Sequence, residues 1–300
     1  MQPIKAHLWF NRPAHEAAQF YTTLMPDSAI SFVNQFSLPG GECEVVEFTF
    51  AGHTFLGISG EAPFKISPSI SFMINFDPAR DKDAIKHIDE LWSKLIDDGK
   101  IMMPLDHYPF SERYGWLADK YGVNWQLMLT NPAGVERPVV VPSLMYTGEV
   151  AGRAEEAIDF YCSVFKNGRR GTSARYPGGM APDQEGTLMY ADFNVDQTWL
   201  AAMDSAHKHD FTFNEAVSLL VTCDTQEEID HYWSALSAGG TPGQCGWLKD
   251  KFGVSWQVSS AVMFEILKTG TPSQVDRVIE VFRSMTKVNA AALQQAFDSN

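Results

Sequence analysis

The chain has 300 residues, of which 45% are apolar and 12% aromatic, enough to fill roughly two hydrophobic cores. The net charge of −14 is spread along the sequence without a basic block, which argues against nucleic acid or an anionic membrane surface as a partner. No apolar run of about 18 residues is present to span a bilayer, and the start Met1–His7 lacks a signal peptide's apolar core.

Cys43, Cys162, Cys223 and Cys245 form no Cys-x-x-Cys pair, so reduced thiols in a cytoplasmic protein are expected, not a disulfide frame or a zinc site. The first strand is expected from Ile4 to Phe10, with His7 and Trp9 on one face. Asn11 is placed to cap a helix with Pro13 in its first turn, and Ala17, Phe20, Tyr21 and Leu24 form its apolar stripe. Strand-like runs follow at Ala29–Phe36, Glu44–Phe50 and His53–Ser59, the last two joined at Ala51–Gly52. This βαβββ pattern then restarts. A strand at Ser69–Phe76 precedes a helix over Lys82–Asp97, with Ile85, Ile88, Leu91, Trp92 and Leu95 inward and Gly99 as its stop. A loop, Ile101–Arg113, and a closing hairpin complete the unit, and Pro132, Gly134 and Pro138 mark a linker.

After the linker the sequence repeats. GWLADKYGVNWQ (Gly115–Gln126) and GWLKDKFGVSWQ (Gly246–Gln257) agree at nine of twelve positions. Ala154–Tyr161 matches Ala14–Tyr21, Thr198–Leu200 matches Thr54–Leu56, and Ile229, Asp230 and Trp233 match Ile88, Asp89 and Trp92. This spacing is too long for a solenoid and indicates a duplicated domain. Each repeated hairpin turns on a glycine, Gly122 or Gly253. Beyond it, Val123, Trp125 and Leu127 take one face of a strand and Asn124, Gln126 and Met128 the other; Val254, Trp256 and Val258 oppose Ser255, Gln257 and Ser259 in the second copy. Alternation leaves two readings for the glutamines, a solvated face or a polar group aimed into a cavity. In the tail, Val275, Val278, Ile279 and Phe282 have helical spacing, and a second short helix is expected from Asn289.

Paired βαβββ units, the hairpins and the segments Phe213–Ser218, Asp224–Glu228 and Met103–Glu112 resemble the vicinal oxygen chelate superfamily of glyoxalase I, extradiol dioxygenases and bleomycin-resistance proteins, in its PhnB-like branch, labelled 3-demethylubiquinone-9 3-methyltransferase-like. The resemblance implies an α+β fold of two tandem domains, each a curved eight-stranded mixed sheet built from two βαβββ units, followed by a helical tail. The corresponding bounds are residues 1–131 and 139–268 for the domains, 132–138 for the linker and 269–300 for the tail.

It also implies a cup-shaped pocket for a small oxygenated metabolite. That pocket serves a lyase, isomerase or oxygenase reaction, or sequestration of a compound as in the bleomycin-resistance members. Methyl transfer finds no support, because no glycine-rich loop between a strand and a helix is present for adenosylmethionine. Superfamily metal sites draw His, Glu or Gln ligands from the first, fourth, fifth and eighth strands. Spacing assigns those positions to His7, Gly57, Ser69 and Gln126 in the first domain, and to Ser143, a residue near Ala202, Ala216 and Gln257 in the second; a one-residue slip admits Glu47 or Glu215. This set falls short of the roughly three ligands of a catalytic ion, so no cofactor is expected, with His7 and Gln126 as the ligands if a divalent metal binds.

The candidate pocket residues are His7, Trp9, Ser69, Asn124, Gln126, Ser143, Ser255 and Gln257, with His107 and Tyr108 added from the Ile101–Arg113 loop. That loop is apolar and stiffened by Pro104 and Pro109, which suggests a lid on one cup or a seal between domains. His207 and His209 make a weaker pair, read first as solvated. The expected partners are a small-molecule ligand and a second copy in a homodimer, with neither nucleic acid nor membrane.

Overall fold

A computed structural model describes residues 4–38, 41–60 and 63–299. Four βαβββ units follow one another. The first holds β1 (Lys5–Phe10), α1 (Ala14–Thr22), β2 (Ala29–Leu38), β3 (Gly41–Phe50) and β4 (His53–Ser59). The second holds β5 (Ile70–Phe76), α2 (Ala84–Leu95), β6 (Lys100–Tyr108), β7 (Ser111–Ala118) and β8 (Asn124–Leu129). The third holds β9 (Val140–Tyr146), α3 (Ala154–Val164), β10 (Arg169–Arg175), β11 (Leu188–Val195) and β12 (Thr198–Asp204). The fourth holds β13 (Val217–Cys223), α4 (Gln226–Ser237), β14 (Thr241–Pro242), β15 (Trp247–Lys249) and β16 (Ser255–Ser260). A tail of α5 (Ala261–Thr269), α6 (Pro272–Arg283) and α7 (Ala290–Asp298) ends the chain. Among the described residues no helix is long and apolar enough to cross a membrane.

The units form two eight-stranded mixed sheets, as expected, but each sheet draws on both halves of the sequence. Sheet I has the order β14-β15-β16-β13-β1-β4-β3-β2 and joins the first unit to the fourth; sheet II has the order β10-β11-β12-β9-β5-β8-β7-β6 and joins the second to the third. The joints are antiparallel pairs of buried central strands, β1 with β13 and β5 with β9. All four joint strands are buried and carry the same duplicated pattern, so any of them satisfies another's ladder equally well. That equivalence hides the pairing from the sequence.

One face of each sheet carries its helices. Ala14, Ala17, Ala18 and Tyr21 bury α1 on sheet I, and Ile88, Leu91 and Leu95 bury α2 on sheet II. Ile85, expected inward, is 50% exposed, because the helix turns it away from β5 and β8. Asn11 does not cap α1; Pro13 stands at the cap position. The helix-covered faces merge into one core, in which Phe55 of sheet I meets Phe72 and Trp125 of sheet II.

The repeated hairpin is organised by its aspartate. Asp119 Oδ2 accepts from Tyr21 Oη and from Trp125 Nε1, both at 2.7 Å, and Oδ1 accepts from the amides of Tyr121 and Val123. Asp250 does the same with Tyr161 Oη, Trp256 Nε1 and the amides of Phe252 and Val254. Burial pushes both carboxyls above the usual range, and these donors pull against it. Tyr21 lies on α1 and Asp119 follows β7, so each cluster ties one sheet's helix to the other sheet's hairpin.

The other face of sheet I, turned away from its helices, is covered in part by the tail. Lys5 and Glu47 form a buried ion pair there, Lys268 of α5 adds a second cation to Glu47 at 3.3 Å, and Lys5 Nζ stands 4.6 Å from the Phe264 ring. Asn34 Nδ2 donates to Leu267 O, and the amides of Cys245 and Gly246 donate to Met285 O and Thr286 O. The helix expected from Asn289 is α7, with Asn289 Oδ1 accepting from the Ala292 amide. The preceding α5, whose Ser260 cap follows β16 directly, escaped the sequence reading. Ending the chain at Ser260 uncovers Lys5, Glu47 and the side of β2 that α5 and α6 cover. A loss of more than about 3 kcal/mol is expected in urea unfolding; an unchanged midpoint contradicts the docked tail.

Candidate functional site

Strand register decides which side chains share the helix-free face of each sheet, because directly paired residues point the same way. In sheet I, His7 pairs with Ser218 and Leu56, Leu220 with Gln257, and Gln257 with Trp247. Gln257 Nε2 donates to Ser218 Oγ at 3.0 Å. His7 meets the Trp247 ring edge-on at 5.3 Å, and Trp9 packs on Trp247 and Phe64. His7 Nδ1, Trp9 Nε1 and Ser255 Oγ are buried without a protein partner. Burial lowers the His7 pKa to about 3, so its ring is neutral at pH 7.

In sheet II the tail is absent, and the equivalent face is built from Gln126, Ser71, Ser143, Asn124 and Trp116. Trp116 and Met73 pair with Gln126 from either side, and Ser71 pairs with Ser143. Tyr114 Oη donates to Gln126 Oε1 at 2.7 Å, and Gln126 Nε2 donates to Ser71 Oγ at 2.7 Å. This relay fixes the amide's orientation. Burial raises the Tyr114 pKa, so the phenol keeps its proton. Three buried atoms beside the relay lack a protein partner: Trp116 Nε1, Ser143 Oγ and Asn124 Oδ1.

Thioethers form the walls. Met73 and Met128 pack beside Val141 and Trp199, and Met102, Met103, Met145 and Met203 surround Tyr114, Trp116 and Phe211. At the rim, Arg137 forks onto Asp192 at 2.8 and 3.0 Å and stacks 3.8 Å from the Trp199 ring. Gly171 is required here, since a Cβ would lie 1.9 Å from Asp192 Oδ1. Arg137 falls in the segment read as a linker, which is why this ion pair escaped the sequence reading.

The two glutamines thus lie on the faces turned away from the helices, one in each sheet, and Trp125 and Trp256 fill the core. His7 and Gln126, paired above as ligands of one ion, stand on different sheets. Gly57 packs against Phe10 and Ala14 on the helix-covered side, as does Ala202, which pairs with core Leu144; Leu56 and Ala201 face the cups instead. Ser218 and Ser71 occupy the positions assigned to Ala216 and Ser69. Ser69 lies on the same face as Ser71, with its Oγ 2.7 Å from Ser67 Oγ. Glu47 is held by Lys5 and Lys268, and Glu215 by Lys249. Among the described residues no three His, Cys, Asp or Glu side chains gather as a metal set. The superfamily's divalent ion does not fit these donors: His7 and Gln126 stand on different sheets, and among the described residues no carboxylate, thiolate or further imidazole gathers beside either to complete a set.

Ile101–Arg113 is not a loop. Its residues form most of β6, paired to β7 through a register broken by irregularities, and so widen sheet II where β14 and β15 remain short. Hydrogen bonding of the β6 backbone outweighs the stiffness of Pro104. Met102, Met103 and Tyr108 pack inward, whereas Ile101 and Phe110 are 50% and 57% exposed. His107 is exposed and stands away from the cup. His209 contacts Ser205 and Phe211, and His207 pairs with Asp183, so the two rings have separate partners. Surface pockets of about 630 and 360 Å³ open at the starts of α2 and α1 and are lined by none of the cup residues named above.

The family model for 3-demethylubiquinone-9 3-methyltransferase matches residues 2–128 and 138–259, once per repeat. Among solved structures, the PhnB protein from Bacillus cereus is 36% identical over 43% of this chain and 100% of its own, with a TM-score of 0.39. Two glyoxalase I point mutants from Zea mays are similar over more of the chain. One is 14% identical over 86% of this chain and 94% of its own, with a TM-score of 0.53. The other is 14% identical over 85% of this chain and 92% of its own, with a TM-score of 0.51. No curated protein matches. The chain belongs to the 3-demethylubiquinone-9 3-methyltransferase family, PhnB-like, and has the vicinal oxygen chelate fold.

Proposed function

We propose that this family member binds a small oxygen-bearing molecule in the cup of sheet II, in the cytoplasm, and holds it by hydrogen bonds without a resident metal. The observation that carries the reading is the pair of buried, unpartnered groups, Trp116 Nε1 and Ser143 Oγ, beside the fixed Tyr114–Gln126–Ser71 relay. A buried donor left unpaired costs about 1–3 kcal/mol, and an oxygen on a ligand relieves that cost.

Binding is favoured over catalysis. A neutral His7 with a pKa lowered to about 3 is a weak base near pH 7, and Tyr114 has already committed its proton to Gln126. The methyl transfer in the family's name is not carried over, for want of an adenosylmethionine loop. The two halves supply each other's sheets within one chain, so neither cup needs a second copy to complete it.

The test is a thermal-shift and calorimetric screen of small ketones, carboxylic acids and phenols. A bound compound is expected to lose about tenfold in affinity in Trp116→Phe, which removes about 1.4 kcal/mol of hydrogen bonding, and to be unaffected in Trp247→Phe. Equal weakening by both variants, or no binder at millimolar concentration, sinks the reading.

A further inference from the structure

The walls of the sheet II cup say what kind of molecule it takes. Six of the twelve methionines, Met73, Met102, Met103, Met128, Met145 and Met203, converge on this one face. The sheet I face presents His7, Trp9 and Trp247 instead, together with a charged pair and the tail. Thioethers are polarisable, turn about three bonds and contact the edges of aromatic rings favourably. Aromatic partners already stand among them, since Tyr114, Trp116, Tyr108 and Phe211 belong to the same cluster. The walls close over the floor, for Trp116 is only 8% and Gln126 only 2% exposed. A ligand therefore enters by displacing flexible methionine side chains, and its own ring replaces their contacts.

The polar groups constrain the rest. Trp116 Nε1 can only donate, so the ligand presents an acceptor oxygen. Asp192, which faces the cup at its rim, is already matched by Arg137. Arg137, the cation recorded at this rim, is committed to Asp192, so a neutral acceptor oxygen suits Trp116 better than an anionic one.

Resting on the binding reading above, we infer that the sheet II cup is selective for a neutral, planar aromatic ring bearing a carbonyl or ether oxygen, held by methionine sulfur on its edges and Trp116 Nε1 on its oxygen. Acetophenone and cyclohexyl methyl ketone test this, because they share the acceptor and differ in the ring. The full chain carries ¹³C-methyl methionine, and each ketone is titrated while the methyl signals are followed. Acetophenone is expected to bind more tightly than its saturated analogue, by about threefold or more. The triple variant Met103→Leu, Met145→Leu, Met203→Leu keeps most of the volume and removes sulfur, and it is expected to erase that preference, bringing the two ketones to equal affinity.

Equal affinity of the two ketones, with Trp116→Phe weakening both, overturns the aromatic selectivity and leaves the binding reading standing. Binding of neither ketone overturns the selectivity too; the broader screen then decides the binding reading on its own compounds. A preference that survives the triple variant overturns the role given to sulfur.

Discussion

Replacing Asp119 by alanine is expected to lower the unfolding free energy by about 4 kcal/mol or more, and the double replacement of Asp119 and Asp250 is expected to abolish folding. One carboxylate serves four donors in each cluster: a tyrosine hydroxyl, an indole N–H and two backbone amides. Removing it strands all four in a core where water cannot replace it. Native domains have only about 5–15 kcal/mol in hand, so one loss is a large fraction and two, about 8 kcal/mol or more together, are comparable with the whole. The clusters share no partner, so their costs add. Asp119→Asn and Tyr21→Phe give graded controls that should still fold. The asparagine NH₂ cannot accept from both Tyr21 Oη and Trp125 Nε1, so it is expected to cost more than Tyr21→Phe, which removes one donor only. Urea midpoints for the series decide the matter, and an Asp119→Ala midpoint within error of the parent contradicts the organising role.

Acid should act through His7. In the unfolded chain its pKa is near 6.5, and in the folded chain burial lowers it to about 3. Between those values the unfolded state binds the extra proton, so stability is complete above pH 6.5 and falls as the pH drops toward 3. The full loss is on the order of 5 kcal/mol, at about 1.4 kcal/mol per pH unit. His7→Gln keeps a polar group beside Trp247 and Ser218 without the titration. Its unfolding free energy is expected to depend on pH between 6.5 and 4 with a slope one proton smaller than the parent's. Identical slopes in the two proteins would remove His7 as the cause.

The hairpin shows how far the sequence could be read. Val123 and Trp125 on one face and Gln126 on the other follow from alternation alone, and the repeat of GWL-x-DK-x-GV-x-WQ located both copies. The recurrence of Asp119 with Asp250, and of Tyr21 with Tyr161, was equally visible as paired matches. That the tyrosine reaches the aspartate needs three-dimensional contact across about a hundred residues, which no local period encodes. The ligand position slipped at Gly57 because a strand's faces exchange with a one-residue shift, and at Ser69 by two residues along the same face. The methionine walls were illegible for another reason. Met73, Met103, Met145 and Met203 lie on β5, β6, β9 and β12, and only the β5–β9 joint and the sheet order bring them to one face. The edge role of β6 was obscured by Pro104 and Pro109, residues that usually signal a loop.

The β1–β13 joint also sets the order in which the molecule can be made. Sheet II is complete within residues 70–204, nested inside sheet I, whose strands begin at Lys5 and finish at Ser260. During synthesis from the N-terminus, the first unit must wait with one side of β1 unpaired while the whole of sheet II emerges and closes. An unpaired central strand is an aggregation hazard, and contacts between residues some 210 apart form slowly because a long loop must close first. Asp119 meets Tyr21 well before β13 exists, so the tyrosine cluster can dock the waiting unit onto sheet II early. The nascent chain therefore has a built-in clamp for the interval in which its first strand has no neighbour on that side.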